Sequence, residues 1–127
     1  MVTKEYVTWE QVENFVCAVV DLCKEQNITG VYGLPRGGLI FAVMFSHRLN
    51  VPMLTAPVDG CLIVDDICDS GESLLHYVEN SSGLVKNKYF IATMYHKKNN
   101  FGIVPNFYQF NKEDKWVVFP WEERGEE

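Results

Sequence analysis

An α/β fold, with a mostly parallel sheet covered by helices on both faces, is predicted by three features of this sequence. Short, almost continuously apolar runs of strand length alternate with longer runs of helical period. Twice a strand-like run passes through a glycine-containing loop into a helix, first over residues 30–50 and again over residues 61–78. The third feature is size: 127 residues, 47% hydrophobic and 22% charged, fill one compact core but not two. Residues 1–127 therefore read as a single domain.

Each element has its own local cause. Thr8 followed three residues later by Gln11 makes a capping box, and Val12, Phe15, Val16, Val19 and Cys23 then recur at helical spacing. A first helix is expected from about Trp9 to Gln26. Gly30-Val31-Tyr32-Gly33 is a β-prone run leading into the tight loop Leu34-Pro35-Arg36-Gly37-Gly38, and LIFAVMFSHRL is apolar enough for a buried helix stopping near Asn50.

Cys61 to Val64 is the next apolar strand, DDICDSG its loop, and Glu72 to Val78 the opening of another helix before the turn-rich NSSG. Tyr89 to Tyr95 reads as a third, longer strand, and Phe107 to Phe110 and Trp116 to Phe119 as edge strands. The tail EERGEE is expected to be solvated and frayed. Strands apolar on both faces imply a parallel sheet built from right-handed crossovers, with ligands at the carboxyl ends of the strands. Both glycine-containing loops, Leu34 to Gly38 and Asp65 to Gly71, fall there.

Charge and composition exclude some functions. A formal net charge of −6 leaves no excess of Lys or Arg to neutralise a nucleic-acid backbone. An anionic ligand must be held by a local device, such as a helix N-terminus, a metal ion or a few placed cations. No run approaches the roughly 18 apolar residues of a membrane span, and the first residues lack a signal-peptide pattern, so a cytoplasmic protein is expected. Cys17, Cys23, Cys61 and Cys68 lack C-x-x-C spacing and have apolar neighbours, which reads as reduced, structural thiols.

The chemistry concentrates after the strand at Cys61. Asp65 and Asp66 follow the apolar Leu62-Ile63-Val64, and burying either charge unpaired is expensive. The two must meet water, a cation or hydroxyl donors, and the adjacent hydroxyls of a ribose match a pair of acceptors; a solvated strand end is the plainer alternative. Asp69-Ser70-Gly71-Glu72-Ser73 adds hydroxyls, a glycine for close approach and successive amides at a helix start, an arrangement that binds a phosphate monoester. Its alternative is an ordinary helix cap.

The run CLIVDDICDSGESL resembles the phosphoribosyl diphosphate signature of the type I phosphoribosyltransferases, in which an apolar strand leads into two acidic residues and a Thr/Ser-Gly loop. GVYGLPRGGLIFA is similar to that family's pyrophosphate loop, and KWVVFPWE resembles the small C-terminal base-site segment of bacterial xanthine-guanine members. The resemblance spans about Gly30 to Glu122.

The resemblance implies the following roles. Asp65 and Asp66 hold the ribose hydroxyls, directly or through Mg²⁺ bound with or without intervening water. Asp69, Ser70, Gly71, Glu72 and Ser73 grip the 5′-phosphate, while Pro35, Arg36, Gly37 and Gly38 face the pyrophosphate. Lys97 contacts the 6-oxo group of a purine, Trp116 stacks on the base, and Val117 lies beside it. Asp69 accepts the proton of the attacking purine nitrogen, and Arg36 meets the charge growing on the leaving group. These roles amount to phosphoribosyl transfer from phosphoribosyl diphosphate to xanthine, guanine or hypoxanthine, in a homodimer or homotetramer. A non-peptidyl-proline cis bond at Pro35-Arg36 is also implied.

Some readings stay open on the residues alone. Lys98 is the alternative to Lys97 because strand register is not readable. By composition Trp116 and Trp121 suit a core as well as a stacking platform. His47, His76 and His96 lack metal-ligand spacing and read as structural or surface residues, and nothing near Cys68 supports a nucleophilic thiol. One departure from the family stands out: only VPMLTAPVDG separates Asn50 from Cys61, too short for the flexible hood most members carry there. A binding protein that keeps the fold without catalysis is therefore the alternative function.

Overall fold

The computed structural model describes residues 3–98 and 103–122. Nine elements follow in order: β1 (Lys4–Tyr6), α1 (Trp9–Cys23), β2 (Val31–Gly33), α2 (Gly37–Leu49), β3 (Cys61–Cys68), α3 (Glu72–Glu79), β4 (Tyr89–His96), β5 (Phe110–Asn111) and β6 (Trp116–Val118). Strands β2, β3, β4 and β5 form a parallel four-stranded sheet in that order, and β1 pairs parallel with β6 in a second, two-stranded sheet. The predicted α/β class with a parallel sheet and helices is the architecture found.

The capping box forms as the sequence predicts, Thr8 Oγ1 accepting from the Gln11 amide at 3.1 Å and Gln11 Oε1 from the Thr8 amide at 2.9 Å. α1 ends at Cys23, short of Gln26, and the chain reverses through Asn27 at φ 52°. α1 buries Val12, Phe15, Val16 and Val19 against Phe41 and Phe45 of α2, the rings meeting edge to face. These residues share one core layer with Val31, Leu62, Val64, Ala92 and Met94 from the sheet. A second layer on the opposite face gathers Tyr32, Leu34, Cys61, Ile63, Leu74, Leu84 and Ile91. Both faces of the central strands are therefore buried, the physical origin of their unbroken apolar runs.

The structure departs from the sequence reading at the acidic pair. β3 does not stop at Val64 but runs on through Asp65 and Asp66 to Cys68. Its inside-outside alternation changes phase on the way: Leu62 and Val64 enter the first layer and Ile63 the second, whereas beyond the pair Ile67 packs on the first and Cys68 on the second. β4 shifts in step, with Ala92, Met94 and Tyr95 all in the first layer, so the register of the two strands holds through Cys68↔His96. The acidic pair sits where the pleat reverses phase, and hydrophobic alternation cannot announce such a place.

β1 was not foreseen, because Lys-Glu-Tyr carries no apolar pattern. The expected edge strand at Phe107 to Phe110 reduces to an isolated bridge, Ala92↔Phe107, and the two-residue β5. Residues 50–60 run beside the edge of the sheet, with Met53 bridged to Val31 and the Leu54 amide donating to the Val31 carbonyl.

Candidate functional site

The carboxyl ends of β2 and β3 bring the two glycine-containing loops together. Leu34 donates its amide to the Val64 carbonyl at 3.0 Å, fastening the first loop across the end of β3. The Pro35-Arg36 peptide that follows is cis. Gly38 at the start of α2 lies so close to β3 that a Cβ there would stand 2.5 Å from the Val64 carbonyl oxygen, and one on Gly37 would stand 2.1 Å from Asp66 Oδ2. The glycines of the motif are there because backbone and carboxylate occupy the space a side chain would need. Pro35 and Arg36, by contrast, are exposed at the rim.

The acidic pair is held by its own backbone. Asp65 Oδ1 accepts from the Asp66 amide and Asp66 Oδ1 from the Ile67 amide, each at 2.8 Å. Burial, reinforced by the Asp66 carboxylate next door, pushes Asp65 up to about 9. A carboxylate placed as Asp65 is gains from a nearby cation or hydroxyl donor.

Beyond the strand, Gly71 is the N-cap of α3 at φ 81° and contributes no side-chain cap. Ser70 Oγ accepts from the Glu72 amide at 3.2 Å. The remaining first-turn amides of a helix have no intrahelical acceptor, so this N-terminus presents donors and the positive end of the helix dipole. A cleft of about 120 Å³ opens there, lined by Asp65, Ile67, Cys68, Asp69, Ser70, Gly71, Ser73 and Leu74. Five of the residues singled out from sequence thus share one cavity. Asp66 turns instead toward Gly37, and Glu72 is exposed on the first turn of α3.

The base-side residues lie beyond β4. The Lys97 amide donates to the Cys68 carbonyl at 2.7 Å, and its ammonium stands 3.4 Å from Asp114. Lys98 is exposed. Trp116 is 50% exposed, with the Lys4 ammonium 4.7 Å from its ring centre. Trp121 is partly buried and packs against the core, stacked on Phe119 at 5.0 Å. The two tryptophans are thus distinguished by the structure, where composition treated them alike. Val117 buries its side chain in the core, which leaves only its backbone for a ligand.

Two charged arrangements escaped the sequence reading. Lys112 Nζ lies 3.6 Å from Asp69 Oδ2. Tyr95 donates its hydroxyl to the Glu5 carboxylate, which also faces Lys115 at 3.2 Å. The Tyr95 hydroxyl, seconded by Lys115 and opposed by partial burial, holds Glu5 below the usual carboxylate range. Nothing in the polar run NKEDK distinguishes Lys112 or Lys115 from its neighbours. His96 is buried, which lowers its affinity for a proton, and Nδ1 finds no hydrogen-bond partner among the described residues. Burial pushes the Cys68 thiol up to about 11, so it is no thiolate nucleophile at neutral pH. Among the described residues no three His, Cys, Asp or Glu side chains form a metal-binding cluster, and no helix is long and apolar enough to cross a membrane.

No protein-family model matches the chain. Known proteins do. It is 25% identical to the xanthine-guanine phosphoribosyltransferase of Idiomarina loihiensis, over 92% of this chain and 86% of the relative. The enzyme of the same name from Chromohalobacter salexigens is also 25% identical, over 91% and 82%. Among solved structures, the purine phosphoribosyltransferase of Pyrococcus horikoshii superposes with a TM-score of 0.86 at 31% identity, over 97% of this chain and 96% of that one. The xanthine-guanine-hypoxanthine phosphoribosyltransferase of Helicobacter pylori, 18% identical with a TM-score of 0.74 over 94% and 93%, shares the fold. With this sequence identity maintained over nearly its whole length, the chain belongs to the purine phosphoribosyltransferases, a branch of the type I phosphoribosyltransferase family.

Proposed function

We propose that the protein transfers the phosphoribosyl group of phosphoribosyl diphosphate to a 6-oxopurine, xanthine, guanine or hypoxanthine, releasing pyrophosphate and the nucleoside monophosphate. The observation that carries this reading is the meeting of the two loops, Gly37 against Asp66 in one and Asp65 with Asp69, Ser70, Gly71 and Ser73 around one cleft in the other. A sugar phosphate and a leaving group need these two sets of contacts side by side. Kinship with purine phosphoribosyltransferases supports the purine acceptor.

In this reading the amides and hydroxyls of Ser70 to Ser73 bind the 5′-phosphate, and Asp65 and Asp66 take the ribose hydroxyls. Arg36 and the first amides of α2 meet the pyrophosphate. A purine nitrogen attacks the anomeric carbon as its bond to the pyrophosphate oxygen breaks, the bonding pair leaving with pyrophosphate and the nitrogen's proton passing to Asp69. Lys97 recognises the 6-oxo group, and the open face of Trp116 carries the ring.

The donor set fits a magnesium ion. Mg²⁺ favours one or two carboxylates with water and substrate oxygens rather than a cage of protein ligands, and the adjacent Asp65 and Asp66 offer two carboxylates, the first of which burial makes costly to leave unpaired. When bound, the ion would neutralise charge developing on the pyrophosphate. We extend the reading to a cytoplasmic homodimer or homotetramer of single-domain subunits, which light scattering on the purified protein tests for assembly.

The direct test is pyrophosphate release on incubation with phosphoribosyl diphosphate, Mg²⁺ and each base in turn. Release with at least one 6-oxopurine is expected. Tight binding of phosphoribosyl diphosphate with no release for any base would establish the binding-protein alternative, which the short 50–60 segment beside the sheet edge favours.

A further inference from the structure

We infer that Lys112 is a positioning residue for Asp69, holding its carboxylate through the 3.6 Å ion pair in the orientation that accepts the purine proton. This rests on the role proposed above for Asp69, and it adds a residue that the phosphoribosyl diphosphate signature does not contain.

Asp69 is 54% exposed at its side chain and, among the described residues, has no other hydrogen-bonded or ionic partner. The rest of the phosphate loop is fixed by backbone: Gly71 in its left-handed turn and Ser70 bonded to the Glu72 amide. A lone half-exposed aspartate on such a loop samples several rotamers, and only some aim an oxygen at a bound purine. The ion pair selects among them. It engages Oδ2 and leaves Oδ1 as the proton acceptor.

Lys112 is suited to the task because it is itself fixed. Its amide donates to the His96 carbonyl at 2.9 Å, extending the β4–β5 ladder by one bond, and its carbonyl accepts from Lys115 at 3.2 Å to close the turn into β6. Its side chain is only 15% exposed. A lysine whose side chain is so largely covered is held in place, and Asp69 supplies a counter-charge within reach of its ammonium. The pair therefore joins the loop that grips the sugar phosphate to the segment that carries Trp116, four residues further on. Asp69→Asn has a double consequence, since it removes the proton acceptor and leaves the Lys112 ammonium uncompensated.

A double-mutant cycle tests this, with pyrophosphate release and urea unfolding measured in parallel on the full chain. Lys112→Met is expected to lower kcat about 10-fold, a fraction of the 10²–10⁴ that general-base catalysis supplies, while KM for phosphoribosyl diphosphate changes less than about 3-fold. Lys112→Arg should restore most of the turnover. In an Asp69→Asn background the same Lys112→Met change should alter kcat less than about 2-fold, because its target is gone. The unfolding cycle should show the same non-additivity, independent of activity.

Two results would overturn the inference. If the wild type turns over and the two substitutions lower kcat additively, Lys112 does not act through Asp69 and the proposed function stands without it. If the wild type releases no pyrophosphate with any base, the proposed function fails and the positioning role fails with it.

Discussion

Asp65→Asn should stabilise the ligand-free protein while impairing its activity, and the gain should depend on pH in a defined direction. In the folded chain, burial and the neighbouring Asp66 raise Asp65 from an ordinary 3.8 to about 9. A carboxyl group raised on folding contributes fully to stability below pH 3.8 and loses that contribution as pH rises toward the folded value. Asparagine keeps the volume and an oxygen able to accept from the Asp66 amide, but never ionises. At pH 4 the two proteins should be nearly equal. Between pH 5 and pH 8 the full linkage slope of roughly 1.4 kcal/mol per pH unit would separate them by about 4 kcal/mol. Solvent reaching the strand end reduces this, and about 1–2 kcal/mol is expected.

Urea unfolding followed by tryptophan fluorescence at pH 5 and pH 8 measures the difference directly. Asp65→Asn should raise the midpoint at pH 8 by clearly more than at pH 5. An equal effect at both values, or a loss at pH 8, would refute the claim that Asp65 ionises at a cost to the fold. A carboxylate kept ionised at a cost to the fold is an instance of the usual trade between function and stability.

Four further outcomes follow from the structure. Gly38→Ala should cost about 1–3 kcal/mol, because the new methyl group meets the Val64 carbonyl at 2.5 Å and neither backbone can yield; Gly37→Ala displaces a side chain instead, and kinetics should show it losing activity more than stability. Glu5→Gln should flatten acid unfolding: a carboxylate lowered on folding contributes above its ordinary 4.5 and loses that contribution as pH falls through the folded value, so wild type and variant should converge below that range and differ above it, by less than about 1 kcal/mol because solvent screens this partly exposed group. Thr8→Ala removes the reciprocal cap of α1 and should lower stability by about 1 kcal/mol in thermal or urea unfolding, with kcat unchanged.

Much of the molecule is legible in local chemistry. The capping box, the apolar runs and the two glycine loops place α1, α2, α3 and the central strands to within a few residues, because helical period, buried strands and tight turns each leave a short-range mark. Asp65, Asp69, Ser70, Gly71 and Ser73 could be singled out because they are close in sequence as well as in space, and they share one cleft. What escaped has a common cause. β1 has no apolar pattern and exists because Val117 and Val118 of β6 offer it a partner, and strand pairing across more than a hundred residues leaves no local trace.

The sequence alone therefore determined the α/β class, the position of the acidic pair and the glycine-containing loop that follows it, since each depends on neighbours along the chain. Tertiary structure decided the rest. It carried β3 through the acidic pair with a change of phase, turned Asp66 against Gly37, left Trp116 exposed while packing Trp121 against the edge of the core, and set Lys112 beside Asp69. Those outcomes depend on which strand lies next to which, where contact distances of a few ångströms separate residues far apart along the chain.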